Sequence, residues 1–84
     1  IPTAELNTVV ATAVRQHQPP GERGRSFKVY YATQAGTNPP TFIFFVNDPK
    51  LCHFSYRRYL ENQLRERLGF EGTGMKLVLK PRSE

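Results

Sequence analysis

Residues 41–47, Thr-Phe-Ile-Phe-Phe-Val-Asn, read as a β-strand that does not alternate. With a period of two, Phe42, Phe44 and Val46 point to one side of the pleat, and Ile43 and Phe45 to the other. A strand that is apolar on both faces wants cover on both. The whole sequence has 84 residues, enough for one domain spanning 1–84. A fold of this size buries only about 60% of the surface its unfolded chain exposes. One layer of helices on one sheet is what it can build. The second face of this strand is therefore expected to lack full cover.

The flanking segments supply the first cover. Leu6, Val9, Val10, Ala13 and Val14 recur at helical spacing and predict a helix over 4–17. Thr3 is its expected N-cap, and Glu5 suits the positive end of the dipole. Pro19 and Pro20 end it. "QPPGERGRS" predicts a mobile loop holding Arg23 and Arg25. Residues 27–34 predict a first strand. Phe27, Val29 and Tyr31 fall on one side, and Lys28, Tyr30 and Ala32 on the other. "AGTNPP" is a turn, followed by the doubly apolar strand. Asp48 is placed to cap a short turn with Pro49 at its first position, running to about Cys52.

Ser55 is the expected cap of a longer helix, with Phe54 and Tyr59 at the spacing of a hydrophobic staple. Tyr59, Leu60, Gln63, Leu64, Arg67 and Leu68 trace one face of it. Gly69 suits the left-handed position after a helix, with Phe70 folding back onto Leu64. Residues 75–80 predict a last strand, with Met75, Leu77 and Leu79 on one side and Lys76, Val78 and Lys80 on the other. The order α-β-β-α-β implies a two-layer α+β fold: a three-stranded mixed sheet with the helices on one face.

Twelve Lys and Arg against seven Asp and Glu give a net charge of +5 and a pI near 9.8. That favours anionic partners such as RNA, DNA, acidic proteins or anionic lipid. The magnitude is also ordinary for a soluble surface, roughly 2 to 8. Cys52 is the only cysteine, so no internal disulfide forms, and a reducing cytoplasmic setting is the default. No apolar run approaches the ~18 residues of a membrane span, and no signal peptide is visible. The sequence begins with Ile1 rather than Met, so a processed chain or a piece of a longer one is expected.

Signals of catalysis are weak. The sequence has no GxxxxGK[ST], no GxGxxG, no metal-ligand spacing and no nucleophile elbow. Cys52 and His53 are neighbours that point apart, so a half-buried structural cysteine is the better reading. His17 flanks the proline loop and is expected in solvent. Glu61, with Arg57 and Arg65 four residues either side, reads as a solvated ion-paired helix face. More informative is a set mixing cations and apolar groups. Lys28, Tyr30, Ile43 or Phe45, Lys76, Val78 and Lys80 are expected to share the face away from the helices. Such a face can stack bases, pack loosely, or dock on another protein domain. Docking is favoured, because exposed apolar patches usually mark interaction sites.

Longer motifs then carry a resemblance. They are Tyr31-x-Thr33-Gln34, Pro39-Pro40-Thr41-Phe42, Phe45-Val46-Asn47 with Pro49, Ser55-Tyr56-x-Arg58-Tyr59-Leu60-Glu61-Asn62, Leu64-Arg65 and Gly69-Phe70-x-Gly72. In this order, with "IPTAELN" as the opening segment, the chain resembles the C-terminal KH-like domain of the bacterial Der (EngA) GTPases. The likeness covers nearly the whole chain. It implies a parent with two GTP-binding domains, whose GTP and Mg are held there and not in this chain. It further implies a role in assembly of the large (50S) ribosomal subunit. The implied partners are the GTPase domains of the same polypeptide and the ribosome or its rRNA, with no membrane.

Two departures bound what the resemblance implies. The GTPase motifs are absent, so this chain alone is expected neither to bind nor to hydrolyse GTP. KH domains that grip single-stranded RNA use a G-x-x-G loop, and here that junction is "LCHFSY", without glycine. Tight sequence-reading RNA binding is therefore not expected, while salt-sensitive contact with rRNA is. The contact candidates are Lys28 and Tyr30, Lys76, Lys80 and Arg82 around the last strand, and Lys50, Arg57 and Arg58 at the helix corner. The rival reading is a free-standing RNA-binding domain.

Overall fold

The computed structural model describes residues 1–22, 24–70 and 74–82. Arg23 and Gly72, singled out above, lie outside the described residues. Helix α1 spans Thr3–Gln16 and helix α2 spans Phe54–Leu68. The strands are β1 (Gly21–Glu22), β2 (Arg25–Ser26), β3 (Val29–Thr37), β4 (Pro40–Val46) and β5 (Lys76–Pro81). β1 and β2 form a small antiparallel pair, so the stretch read as a mobile loop is a hairpin instead. Gly24 takes a positive φ of 75° at its tip, and Arg25 reaches Asp48 at 3.4 Å. Two-residue strands are too short to show a period of two, which is why the sequence hid them.

The main sheet has the order β3-β4-β5, with β3 antiparallel and β5 parallel to the central β4. This is the three-stranded mixed sheet, α+β and KH-like in its α-β-β-α-β order, that the sequence implies. Along β4 burial alternates strictly. Phe42, Phe44 and Val46 have no exposed surface, and they meet Leu6, Val10 and Ala13 of α1 and Tyr56, Leu60 and Leu64 of α2 in one core. Ile43 and Phe45 point the other way and stay half-buried. Among the described residues, the central strand thus has one complete cover and one partial one.

β3 departs from simple alternation. Val29 pairs with Val46 and Tyr31 with Phe45, two steps against one, so Tyr30 is an extra residue in a β-bulge. A second irregularity follows between Gln34 and Gly36. The first bulge reverses the faces downstream of it. Phe27 is buried as expected, but Ala32 turns into the core and Tyr31 turns out to solvent. The expected sides of Tyr31 and Ala32 are therefore exchanged.

Side chains tie the helices to the sheet. Asn7 Nδ2 donates to the Ala32 carbonyl at 2.9 Å, and the Ala32 N–H donates to Asn7 Oδ1 at 2.8 Å. One amide thus occupies both backbone groups of an outer-strand residue, as a neighbouring strand would. Asn47 does similar work beside the hairpin, accepting from the Lys28 N–H and donating to the Ser26 carbonyl.

The helix ends differ from expectation in detail. Thr3 already lies inside α1, whose N-cap is Pro2, and the Pro2 carbonyl accepts from the Leu6 N–H. α2 begins at Phe54, one residue before the expected Ser55 cap, and has no side-chain cap. Phe54 therefore sits within the helix rather than before it. The staple with Tyr59 does not form, and Phe54 is 74% exposed. Asp48 does cap the short turn at Pro49–Leu51, accepting from the Lys50 N–H. Gly69 ends α2 at φ 77°, where a side chain would strain the backbone. Phe70 then lays its ring against Phe42, 5.7 Å between centroids, and packs against the core.

Two tyrosines of α2 clasp the C-terminal end of α1. Tyr56 OH donates to the His17 carbonyl at 2.8 Å, and Tyr59 OH to the Ala13 carbonyl at 2.6 Å. The exposed His17 ring lies 4.9 Å from Tyr59. Burial of the phenol, with Tyr59 and Cys52 beside it, pushes Tyr56 from its ordinary value of 10.0 up to about 12. The folded state therefore keeps this proton more tightly than the unfolded chain does. The stabilisation is complete below pH ~10 and is lost as pH rises toward ~12, by roughly 2 kcal/mol. Urea unfolding across that window should show the fall, and Tyr56→Phe should remove most of it.

Candidate interaction surface

The side of the sheet away from the helices is built in three rows read from the strand register. Gly36, Thr41 and Lys76 form one, Thr33, Ile43 and Val78 the next, and Tyr31, Phe45 and Lys80 the third. Beyond the third row the bulge residue Tyr30 carries Arg82, whose guanidinium lies 3.9 Å from the ring centroid. The Arg82 N–H donates to the Val46 carbonyl, which fixes the chain just past β5. Tyr31 and Phe45 stack at 4.6 Å and 22°. Tyr30 and Tyr31 are 41% and 45% exposed, and Val78 36%.

Electrostatically this face is one-sided. Lys76, Lys80 and Arg82 are exposed on it or at its border. Among the described residues its rows hold no carboxylate: Glu5 belongs to α1, Asp48 to the turn after β4, and Glu61 and Glu66 to α2. An apolar middle with cations to one side suits an interface that buries its centre and keeps a polar rim.

Of the residues singled out from sequence, the fold brings Tyr30, Lys76, Lys80 and Arg82 together here. Lys28 lies one residue before β3, exposed at the same end of the strand as Tyr30. Lys50, Arg57 and Arg58 form a separate group at the corner between the short turn and α2. Lys50 and Arg58 are exposed there, and Arg58 hangs 6.0 Å from the Phe54 ring. Arg57 is held more firmly. It donates to the Leu77 carbonyl of β5 and pairs with Glu61 at 3.7 Å. The other expected partner of Glu61, Arg65, turns instead to Asn62 at 3.5 Å. Tyr31 is the participant that the regular alternation concealed. The adjacent pair Tyr30-Tyr31 was its one signal, since a bulge can turn two successive side chains to one side.

A groove of about 480 Å³ adjoins this surface between α1 and the start of β3, lined by Asn7, Val10, Val14, Arg15 and Val29 and by Tyr30 and Tyr31 themselves, among others. No carboxylate, His or Cys lines it. Cys52 is half-buried and its thiol is raised by burial, an effect that Arg57 partly offsets. Among the described residues no group of three or more His, Cys, Asp or Glu is placed to hold a metal ion. Among them, too, no helix is long and apolar enough to cross a membrane.

Comparison with known proteins follows the fold. A family model described as the KH-domain-like C-terminal region of EngA bacterial GTPase enzymes matches residues 1–80. The chain is 55% identical over 84 residues to a protein named GTPase Der from Desulfitobacterium hafniense (strain DSM 10664 / DCB-2), covering 100% of this chain and 19% of that relative. It is 57% identical over 84 residues to GTPase Der of Clostridium novyi (strain NT), again 100% and 19%. To GTPase Der of Thermomicrobium roseum it is 56% identical over 82 residues, 98% of this chain and 18% of the relative. The chain thus spans about a fifth of the length of these relatives.

Proposed function

The chain belongs to the family of KH-domain-like C-terminal domains of the EngA bacterial GTPases, and from that premise we propose that it is the non-catalytic module of a longer GTP-binding protein that serves ribosome biogenesis. In this reading it docks on the GTPase domains of the same polypeptide, which hold GTP and Mg, and it contacts the large ribosomal subunit and its rRNA in the cytoplasm. The observation that carries the reading is the match itself. Relatives named as GTPases align with this chain along its full length, over only about a fifth of their own. The sequence lacks the glycine-rich phosphate cradle that a GTP site needs. An adaptor role is what its side chains support.

Contact with RNA is expected to be electrostatic. The junction Leu51-Cys52-His53-Phe54-Ser55-Tyr56 offers no glycine for close approach of a phosphate backbone. Lys76, Lys80 and Arg82 together with Lys50 and Arg58 supply exposed positive charge. Reversing Lys76, Lys80 and Arg82 to Glu together tests this. Affinity for rRNA fragments should fall by about tenfold or more at low salt, and the difference should shrink as salt rises. Unchanged association with the large subunit would remove the rRNA part of the reading. Sequence preference that survives moderate salt would favour a free-standing RNA-binding domain instead.

A further inference from the structure

We propose that Phe54 is the seat of an unpaired RNA base, which stacks on its ring while Lys50 and Arg58 hold the neighbouring phosphates. The inference rests on the rRNA part of the reading above and adds to it the side chain that meets a base.

Exposure singles this ring out. Among the described residues, three Phe and Tyr side chains are exposed: Tyr30, Tyr31 and Phe54. The first two are engaged. Arg82 lies over the Tyr30 ring at 3.9 Å, and Tyr31 stacks on Phe45 at 4.6 Å. Phe54 is 74% exposed. The Arg58 guanidinium stands 6.0 Å from its centroid, the outer limit of a cation–π contact. The ring is therefore open to a planar partner.

One exposed apolar side chain means little by itself, and the surroundings of Phe54 give it meaning. Lys50, His53, Ser55 and Arg58 are all exposed around it. Arg58 lies one turn along α2 from Phe54, on the same face. Lys50 belongs to the short turn just before the helix. The carboxylates on either side are engaged, Asp48 with Arg25 and Glu61 with Arg57. Among the described residues neither Lys50 nor Arg58 pairs with a carboxylate.

This pattern selects the partner. A protein interface buries a contiguous apolar centre, and here the apolar area is one ring amid polar groups. A nucleotide strand supplies a plane and a negative charge on each side of it, which one ring and two cations match. The missing glycine in the Leu51–Tyr56 junction bars a backbone cradle for phosphate, while a protruding side chain needs none. Every base has a π-face, so the contact tolerates any sequence. It does require an unpaired base, splayed out of its own stack.

The test compares an oligouridylate with an abasic strand of the same phosphate count, titrated against the 84-residue chain over a range of salt. Phe54→Ala should weaken the oligouridylate about tenfold, by the same factor at each salt concentration, and leave the abasic strand unchanged. Phe54→Trp should keep the affinity, and Phe54→Leu, apolar but without a ring, should not. Lys50→Gln with Arg58→Gln should weaken both strands and lower the salt slope by about 1.4. Position 54 lies outside the core, so these variants should keep the fold. Unchanged oligouridylate binding by Phe54→Ala would overturn the inference. If reversing Lys76, Lys80 and Arg82 still weakened rRNA fragments, the rRNA reading would survive it. An equal loss on the abasic strand would also overturn it, because the base would then contribute nothing. Loss of polyglutamate binding by Phe54→Ala, with the oligouridylate unaffected, would assign the ring to an acidic protein instead. Wild-type chain that binds neither strand at low salt would sink both this inference and the rRNA reading.

Discussion

Phe44→Ala should destabilise the domain by about 3–5 kcal/mol, while Phe45→Ala should cost about 1 kcal/mol. The two residues are neighbours of identical chemistry on the central strand. Phe44 is wholly buried between the sheet and both helices, and its removal leaves a cavity in the core. Phe45 is half-buried on the open face, and its main aromatic contact is Tyr31. Water can reach most of the space it would vacate. A domain of this size has about 5–15 kcal/mol of stability in total, so Phe44→Ala should remove a large share of it and Phe45→Ala a small one. Urea midpoints of the two variants give the comparison directly. Equal losses would mean that β4 is covered on both faces within this chain.

The second large effect belongs to Asn7. Asn7→Leu keeps the branching of the side chain but leaves the N–H and C=O of Ala32 without their partner. Ala32 has no exposed surface, so water is poorly placed to replace the amide. A buried backbone group left unpaired costs about 1–3 kcal/mol, and the loss here should fall in the upper part of that range. Asn7→Asp is the informative companion. Its carboxylate still accepts from the Ala32 N–H but faces the Ala32 carbonyl with no hydrogen to donate, so it should be destabilised as well. Unfolding midpoints, with hydrogen exchange at the Ala32 amide, check this. A wild-type midpoint for Asn7→Leu would show that the amide bridge contributes nothing net.

Much of this fold is legible in the sequence because most elements keep their periods. β4 and β5 have no irregularity between them, so Phe42, Phe44 and Leu77 fall inward and Ile43, Val78 and Lys80 outward, as a period of two requires. The cap at Asp48 and the left-handed Gly69 were readable because each rests on local chemistry that few residues supply.

The misreadings have equally local causes. A bulge adds a residue without any compositional mark, so Tyr31 and Ala32 were set on each other's faces. Starting α2 two residues early, with His53 rather than Ser55 at its N-cap, moves Phe54 from a staple position into solvent. Tyr56, one turn before Leu60, also turns into the core, while its hydroxyl holds the end of α1. The hairpin at β1 and β2 is set by pairing between short segments, and that is a tertiary fact.

The candidate surface was legible in the same proportion. Lys76, Val78 and Lys80 followed from regular alternation on β5. Tyr30 followed from the same alternation, whereas Tyr31 reached the open face through a bulge that the alternation did not contain. Arg57 shows the limit of charge alone: its guanidinium is committed to the Leu77 carbonyl and to Glu61, which composition could not reveal.

The central claim is that the sheet of this chain has one finished side and one that a larger polypeptide completes. Methyl NMR with a soluble gadolinium reagent measures it most directly. In the 84-residue chain, the Ile43 and Val78 methyls should relax much faster than those of Leu6 and Leu60, and in the longer polypeptide they should become nearly as shielded as the core. Ile43 and Val78 methyls already as protected as Leu60 in the short chain, or equally exposed in both, would contradict it.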